Sequence, residues 1–94
     1  MRKKYRSRTE IIASILETTA RENAAGITRL MFICLLSYPQ IKSYLEILMK
    51  DQLLRRDDQD KVYRITAKGR QFLDLYSKMA DMLKPLEGAD FSTV

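Results

Sequence analysis

The sequence predicts a small, mainly α domain with one β-hairpin (α+β), and three observations predict it. Apolar residues recur at intervals of three and four in three separate windows, the period of a helix with one buried face, and a fourth window is apolar nearly all round. Two windows open on a serine followed three residues later by Glu or Gln, the reciprocal cap of a helix start. After Gln52 the helical period breaks, and two short runs of strand character flank a polar loop. With 94 residues and 46% hydrophobic content there is enough apolar surface for one core, but such a size is marginal for an isolated domain, so a partner chain would add stability.

In chain order, Ser7 with Glu10 caps a first helix over about 8–22, whose Ile11, Ile12, Ile15, Leu16 and Thr19 repeat at helical spacing. The segment ENAAG ends it, with Gly26 expected in the turn and Thr28 expected to cap a second helix through LMFIC. Because that helix is apolar nearly all round, other elements should enclose it. Ser37 with Gln40 caps a third helix, and Pro39 falls in its first turn, where an amide hydrogen would lack an intrahelical partner anyway. Ile41, Leu45 and Leu48, with Tyr44 beside them, form the buried stripe; Pro39, Ser43, Glu46 and Lys50 lie opposite. LLRR and VYRIT then flank DDQDK as a hairpin with Tyr63 and Ile65 on one face and Val62 and Arg64 on the other. Thr66 is expected to cap a last helix over about 67–84 that Pro85 and Gly88 end. No repeat, low-complexity segment or linker divides the chain.

Three helices, the second and third joined by the short LLS turn, then a hairpin and another helix, form the order of a winged helix-turn-helix with an additional C-terminal helix. The expected organisation is a basic N-terminal arm (1–7), the winged helix-turn-helix domain (8–66), a C-terminal dimerisation helix (67–84) and a flexible tail (85–94). The runs LSYPQIKSYLEILMKDQLL and VYRITAKGRQFL resemble the archaeal winged-helix DNA-binding proteins, a family that includes ten-kilodalton chromatin proteins and transcription regulators. The resemblance spans about residues 8–84, and its most specific parts are LSYxQxKxYLxxLxxxxLL and YxITxKG. It implies a cytoplasmic, DNA-binding dimer that places its third helix in the major groove and pairs through its last helix.

The charge distribution bears on the same question. Arg2, Lys3, Lys4, Arg6 and Arg8 all lie in the first eight residues, and without them 12 basic and 12 acidic residues remain, so the whole net charge of +5 sits on the arm. Such an arm suits a polyanion, although a solubilising tail or a segment that meets an acidic protein has the same composition. In the third helix the outward residues are small or polar, and Tyr38, Gln40, Lys42 and Ser43 near its N-terminus are expected to reach base edges or phosphates of double-stranded DNA. By composition alone an ordinary solvated face would look the same, and Glu46 in that face is repelled by phosphate unless it accepts from a cytosine amine. The wing tip carries Asp57, Asp58 and Asp60 and does not suit a phosphate backbone, whereas Arg55, Arg56, Lys61 and Arg64 flank it and are expected to touch phosphate from the strands.

In the last helix Arg70, Asp74, Ser77, Asp81 and Lys84 draw one polar line, and the remaining arc is apolar. That arc is wider than one contact with a small domain can bury, so Phe72, Leu75, Tyr76, Met79, Met82 and Leu83 are expected at a homodimer interface. Phe72, Tyr76, Met79 and Leu83 keep a heptad-like spacing. Pro85 makes this seam shorter than the coiled coil of the chromatin-type proteins, so their pairing geometry does not transfer.

Other classes are disfavoured. With no histidine and one cysteine, most metal and nucleophile chemistry is removed, neither a Cys-His pair nor a Ser-His triad can be assembled, and no metal or cofactor is expected. The aspartates of DDQDK lack the glycine and closing glutamate of a calcium loop. Cys34, inside LMFICLL, is expected to be an inert core thiol. Glu10 and Glu17 interrupt what would otherwise resemble a secretory signal, and the longest apolar run, Leu30 to Leu36, is far shorter than the roughly 20 residues that span a bilayer. No nucleophile, base and oxyanion site or phosphate loop is apparent, so a non-enzymatic DNA-binding protein is expected, either a transcription regulator or a nucleoid-associated protein. The acidic wing tip and the zero net charge of residues 9–94 instead favour the alternative, a winged-helix module that docks on another protein.

Overall fold

The computed structural model describes residues 6–87. At its start the Ser7 hydroxyl accepts the Glu10 N–H at 3.1 Å while the Glu10 carboxylate accepts the Ser7 N–H at 2.8 Å, and α1 (Arg8–Arg21) runs from that box. Ile15 and Leu16 are fully buried, and the neighbouring buried hydroxyls of Thr18 and Thr19 donate to the carbonyls of Ser14 and Leu16, so no buried side-chain polar atom is left unpaired there.

The turn that follows is built differently from the expectation. Asn23, at φ 71°, takes the left-handed conformation, which its short polar side chain tolerates. Ala25 then exchanges two backbone hydrogen bonds with Tyr63, at 3.1 and 2.8 Å, and joins the hairpin as a one-residue bridge. That pairing holds the backbone extended up to Gly26, which caps α2 (Ile27–Cys34) without a side chain; Thr28, expected as the cap, lies inside the helix. A second correction concerns burial. Leu30 and Cys34 are buried, but Phe32 is 73% exposed, so α2 lies on the surface with α1 and α3 covering one side.

Leu35 caps α2 in the left-handed region (φ 57°), Leu36 turns inward, and Ser37 opens α3 (Tyr38–Lys50). Its box with Gln40 is reciprocal, Pro39 sits in the first turn, and Ile41, Leu45 and Leu48 are buried as the spacing requires. β1 (Leu54–Asp57) and β2 (Val62–Ile65) pair antiparallel with Leu54 opposite Ile65 and Arg56 opposite Tyr63; Leu54, Tyr63 and Ile65 face the core.

The Thr66 hydroxyl accepts the Gly69 N–H at 3.0 Å and donates to the carbonyls of Gln52, at 2.6 Å, and Leu53, at 3.1 Å. It therefore caps α4 (Ala67–Glu87) and ties that helix to the end of α3. Gly69 is buried against the same junction: a Cβ there would lie 2.3 Å from the Leu53 carbonyl oxygen and 2.7 Å from Ile65 Cγ1. The helix passes Pro85 and reaches Glu87, beyond the expected end at 84. The proline deletes only the bond to the carbonyl of exposed Asp81, which water can solvate, and it falls in the last turn.

Candidate nucleic-acid interface

α3 owes its outward face to what it buries. With Ile41, Leu45 and Leu48 in the core, Tyr38, Pro39, Gln40, Lys42, Ser43, Glu46, Ile47 and Lys50 are left exposed. Two flanks of different chemistry border this face. On one, Arg8 from the start of α1 edges a groove lined by Pro39, Gln40, Ser43, Tyr44 and Ile47. On the other, Arg56 from the wing and Ile27 from α2 border Tyr38, Lys42, Glu46 and Met49. The structure thus gathers Arg8, Tyr38, Gln40, Lys42, Ser43 and Arg56 around one helix.

Several of these groups already have partners. The Gln40 Oε1 accepts the Ser37 N–H at 2.9 Å, so its amide is part of the cap as well as of the surface. Lys42 Nζ lies 3.9 Å from a Glu46 carboxylate oxygen, a long exposed pair that moderates the repulsion Glu46 would exert on a phosphate. Arg56 lies over the Tyr63 ring at 5.4 Å, donates to its hydroxyl at 3.0 Å and pairs with Asp58 at 3.0 Å; the Tyr63 hydroxyl, first, and Asp58 raise its pKa.

Other expected contacts lie elsewhere. Arg6 is half-buried and its guanidinium donates to the Cys34 carbonyl, which anchors it on the C-terminus of α2. Arg64 is also held inward, bonding Asp57 at 3.2 Å, Asp60 at 3.5 Å and the Asn23 carbonyl at 3.3 Å. Arg55, directly across the ladder from Arg64, and Lys61 are exposed but border neither flank of α3. Arg2, Lys3 and Lys4 lie outside the described residues.

The acidic tip has a structural role that its composition did not suggest. Asp57 accepts the Gln59 and Asp60 N–H groups at 3.1 and 3.3 Å and so builds the loop, while it and Asp60 neutralise Arg64 opposite Arg55. The Asp60 N–H, then Arg64, lowers the Asp57 pKa below the ordinary aspartate value. Two surface residues went unread in the sequence: Ile47, seven residues beyond Gln40, and Leu86, seven residues beyond Met79 and past Pro85. In both cases the spacing carried the signal.

A winged helix-turn-helix family profile matches residues 5–84. The chain belongs to the winged helix-turn-helix family. Among solved structures, this winged helix is similar to Sso10a-2, a DNA-binding protein from Sulfolobus solfataricus, at a TM-score of 0.74 and 27% identity over 87% of this chain and 86% of that one. It is also similar to the transcriptional regulator BldR from Sulfolobus solfataricus, at a TM-score of 0.64 and 27% identity over 85% of this chain; it spans 64% of the BldR chain. No curated protein matches. Among the described residues of the winged helix, no acidic or cysteine cluster is arranged to hold a metal ion, and no helix is long and apolar enough to cross a membrane.

Proposed function

We propose that the protein binds double-stranded DNA as a homodimer, places α3 in the major groove, and acts as a transcription regulator or nucleoid-associated protein without catalytic activity. The observation that carries this reading is the exposed face of α3, held by a buried stripe and bordered by a cation on each flank, Arg8 and Arg56. The likeness to Sso10a-2, a DNA-binding protein, and to a transcriptional regulator supports it. Arg2, Lys3 and Lys4 would add sequence-independent attraction to phosphate, and the protein would work in the cytoplasm, on the nucleoid.

Dimerisation rests on α4. Leu75, Met79, Met82 and Leu86, spaced four, three and four apart, are 61%, 47%, 76% and 57% exposed, with Leu83 beside them. Phe72 and Tyr76 are half-buried and stacked at 6.3 Å, so they form the inner edge of the seam. A file of apolar side chains along the outer side of a helix is what a second copy covers.

Sedimentation together with a salt titration of duplex binding tests both parts. A dimer whose affinity falls steeply with salt is expected, and deletion of residues 1–5 should reduce the slope by about 2 to 3, at roughly 0.9 for each phosphate released. A monomer would remove the dimer. A protein that binds no duplex at low salt would favour the second reading, a module that docks on another protein, to which exposed Phe32 and Leu35 (73% and 81%) lend support.

A further inference from the structure

Gln40, Ser43 and Ile47 lie at i, i+3 and i+7, one line along the outward side of α3. At 1.5 Å of rise per residue the ends of this line are about 10 Å apart, close to three base steps of a duplex. Its chemistry is narrow.

The cap on α3 restricts what Gln40 can offer. Its Oε1 already accepts the Ser37 N–H, so the NH2 group, a donor, is the end of the amide without a cap bond. Adenine, which is read by one acceptor and one donor of the same amide, would have to share that Oε1 with the cap through its second lone pair. Ile47 is 51% exposed and shares with Pro39 and half-buried Tyr44 a groove of about 420 Å³ that Arg8 edges. An acceptor that could take a cytosine amine, Glu46, lies on the opposite flank beside Lys42. The line therefore presents a donor at one end and, about 10 Å away, an alkyl surface at the other. These ends meet different base pairs, and of the four bases thymine alone offers the major groove an apolar group, the C5-methyl, for the alkyl end to cover.

We propose that Ile47 is a specificity-determining residue that packs on a thymine C5-methyl, so that this winged helix favours thymine where the Gln40 to Ile47 line meets the groove. The inference rests on α3 being the major-groove helix. Arg8 at the edge of the same groove would fix the register by touching the adjacent phosphate.

The test uses the full chain, a T-rich duplex, and the same duplex with deoxyuridine in place of every thymine, so that only the methyl groups are removed. Binding to the deoxyuridine duplex should be weaker by about fourfold for each methyl group that the side chain would otherwise cover, the scale of burying one methyl group. Ile47→Ala, at a half-exposed position that the core does not need, should weaken binding to the thymine duplex by a similar factor and abolish the difference between the two. Equal affinity of the unaltered protein for both duplexes overturns the inference and leaves DNA binding standing. A difference that persists in Ile47→Ala overturns the assignment to Ile47, because it then reflects duplex shape. No binding to either duplex at low salt removes the reading of α3 itself.

Discussion

α3 and α4 are each fastened by a hydroxyl at the N-terminus, Ser37 for one and Thr66 for the other, and α3 buries an apolar stripe while α4 half-buries one through Phe72, Leu73 and Tyr76, yet it is their outer faces that differ most. On α3 the outer side carries Pro39, Ser43, Glu46 and Lys50 with a single isoleucine, whereas on α4 it carries Leu75, Met79, Met82 and Leu86 in register. Water solvates the first surface well. The second exposes apolar area at every turn, the arrangement that marks a covered interface. Amphipathic period therefore establishes that both segments are helices, and only the residues outside the period tell what each helix meets.

The contrast can be broken most severely on α4. Replacing Leu75 and Met82 by Glu would put charge into the proposed seam of both copies, and at about 1.5 kcal/mol or more for each apolar side chain removed the association constant should fall at least about a thousandfold, seen as a monomer in sedimentation. Ile47→Ala on α3 should leave the mass unchanged. Gly69→Ala should follow in size. In an open helix this change stabilises by about 1 kcal/mol, but here the added Cβ meets the Leu53 carbonyl oxygen at 2.3 Å, so a loss of about 2 to 3 kcal/mol is expected in denaturant unfolding. Stabilisation instead would show that α4 is not seated as described.

A smaller effect is shared by the two caps. Ser37→Ala and Ser7→Ala should each cost about 1 kcal/mol of unfolding free energy, since each removes the hydroxyl that accepts the Gln40 or Glu10 N–H; because the Ser37 backbone N–H that holds the Gln40 Oε1 remains, neither should change base preference. The smallest effect lies on the wing. Asp57 has a lowered pKa in the fold, so its support of the loop is complete above the unfolded aspartate value and is lost as pH falls through the lower folded value. Hydrogen exchange at the Gln59 and Asp60 amides should speed up over that acid range, and Asp57→Asn should show faster exchange already at neutral pH.

Much of this was legible in the sequence. Ser7, Ser37 and Thr66 announced three helix starts because a side-chain cap is a local device, and the stripe Ile41, Leu45 and Leu48 followed from period alone. What was misjudged depends on distant partners. The Ala25 bridge to Tyr63, which fixes where α2 begins, joins residues far apart in the chain, and the exposure of Phe32 depends on how little of α2 its neighbours cover. The candidate site shows the same division. Tyr38, Gln40, Lys42 and Ser43 are on the surface that helical period assigned them, but the inward capture of Arg6 and Arg64 required the Cys34 carbonyl and the Asp57 carboxylate to be brought within reach.

The Thr66 hydroxyl has a mechanical consequence. By holding the carbonyls of Gln52 and Leu53 on one side and the Gly69 amide on the other, with Lys68 Nζ on the Asp51 carbonyl at 2.9 Å, it leaves little play between the exit of α3 and the root of α4. In a pair of chains joined along α4, that stiff corner acts as a gauge: it would set the gap between the two copies of α3, and with it the stretch of duplex that both can grip at once.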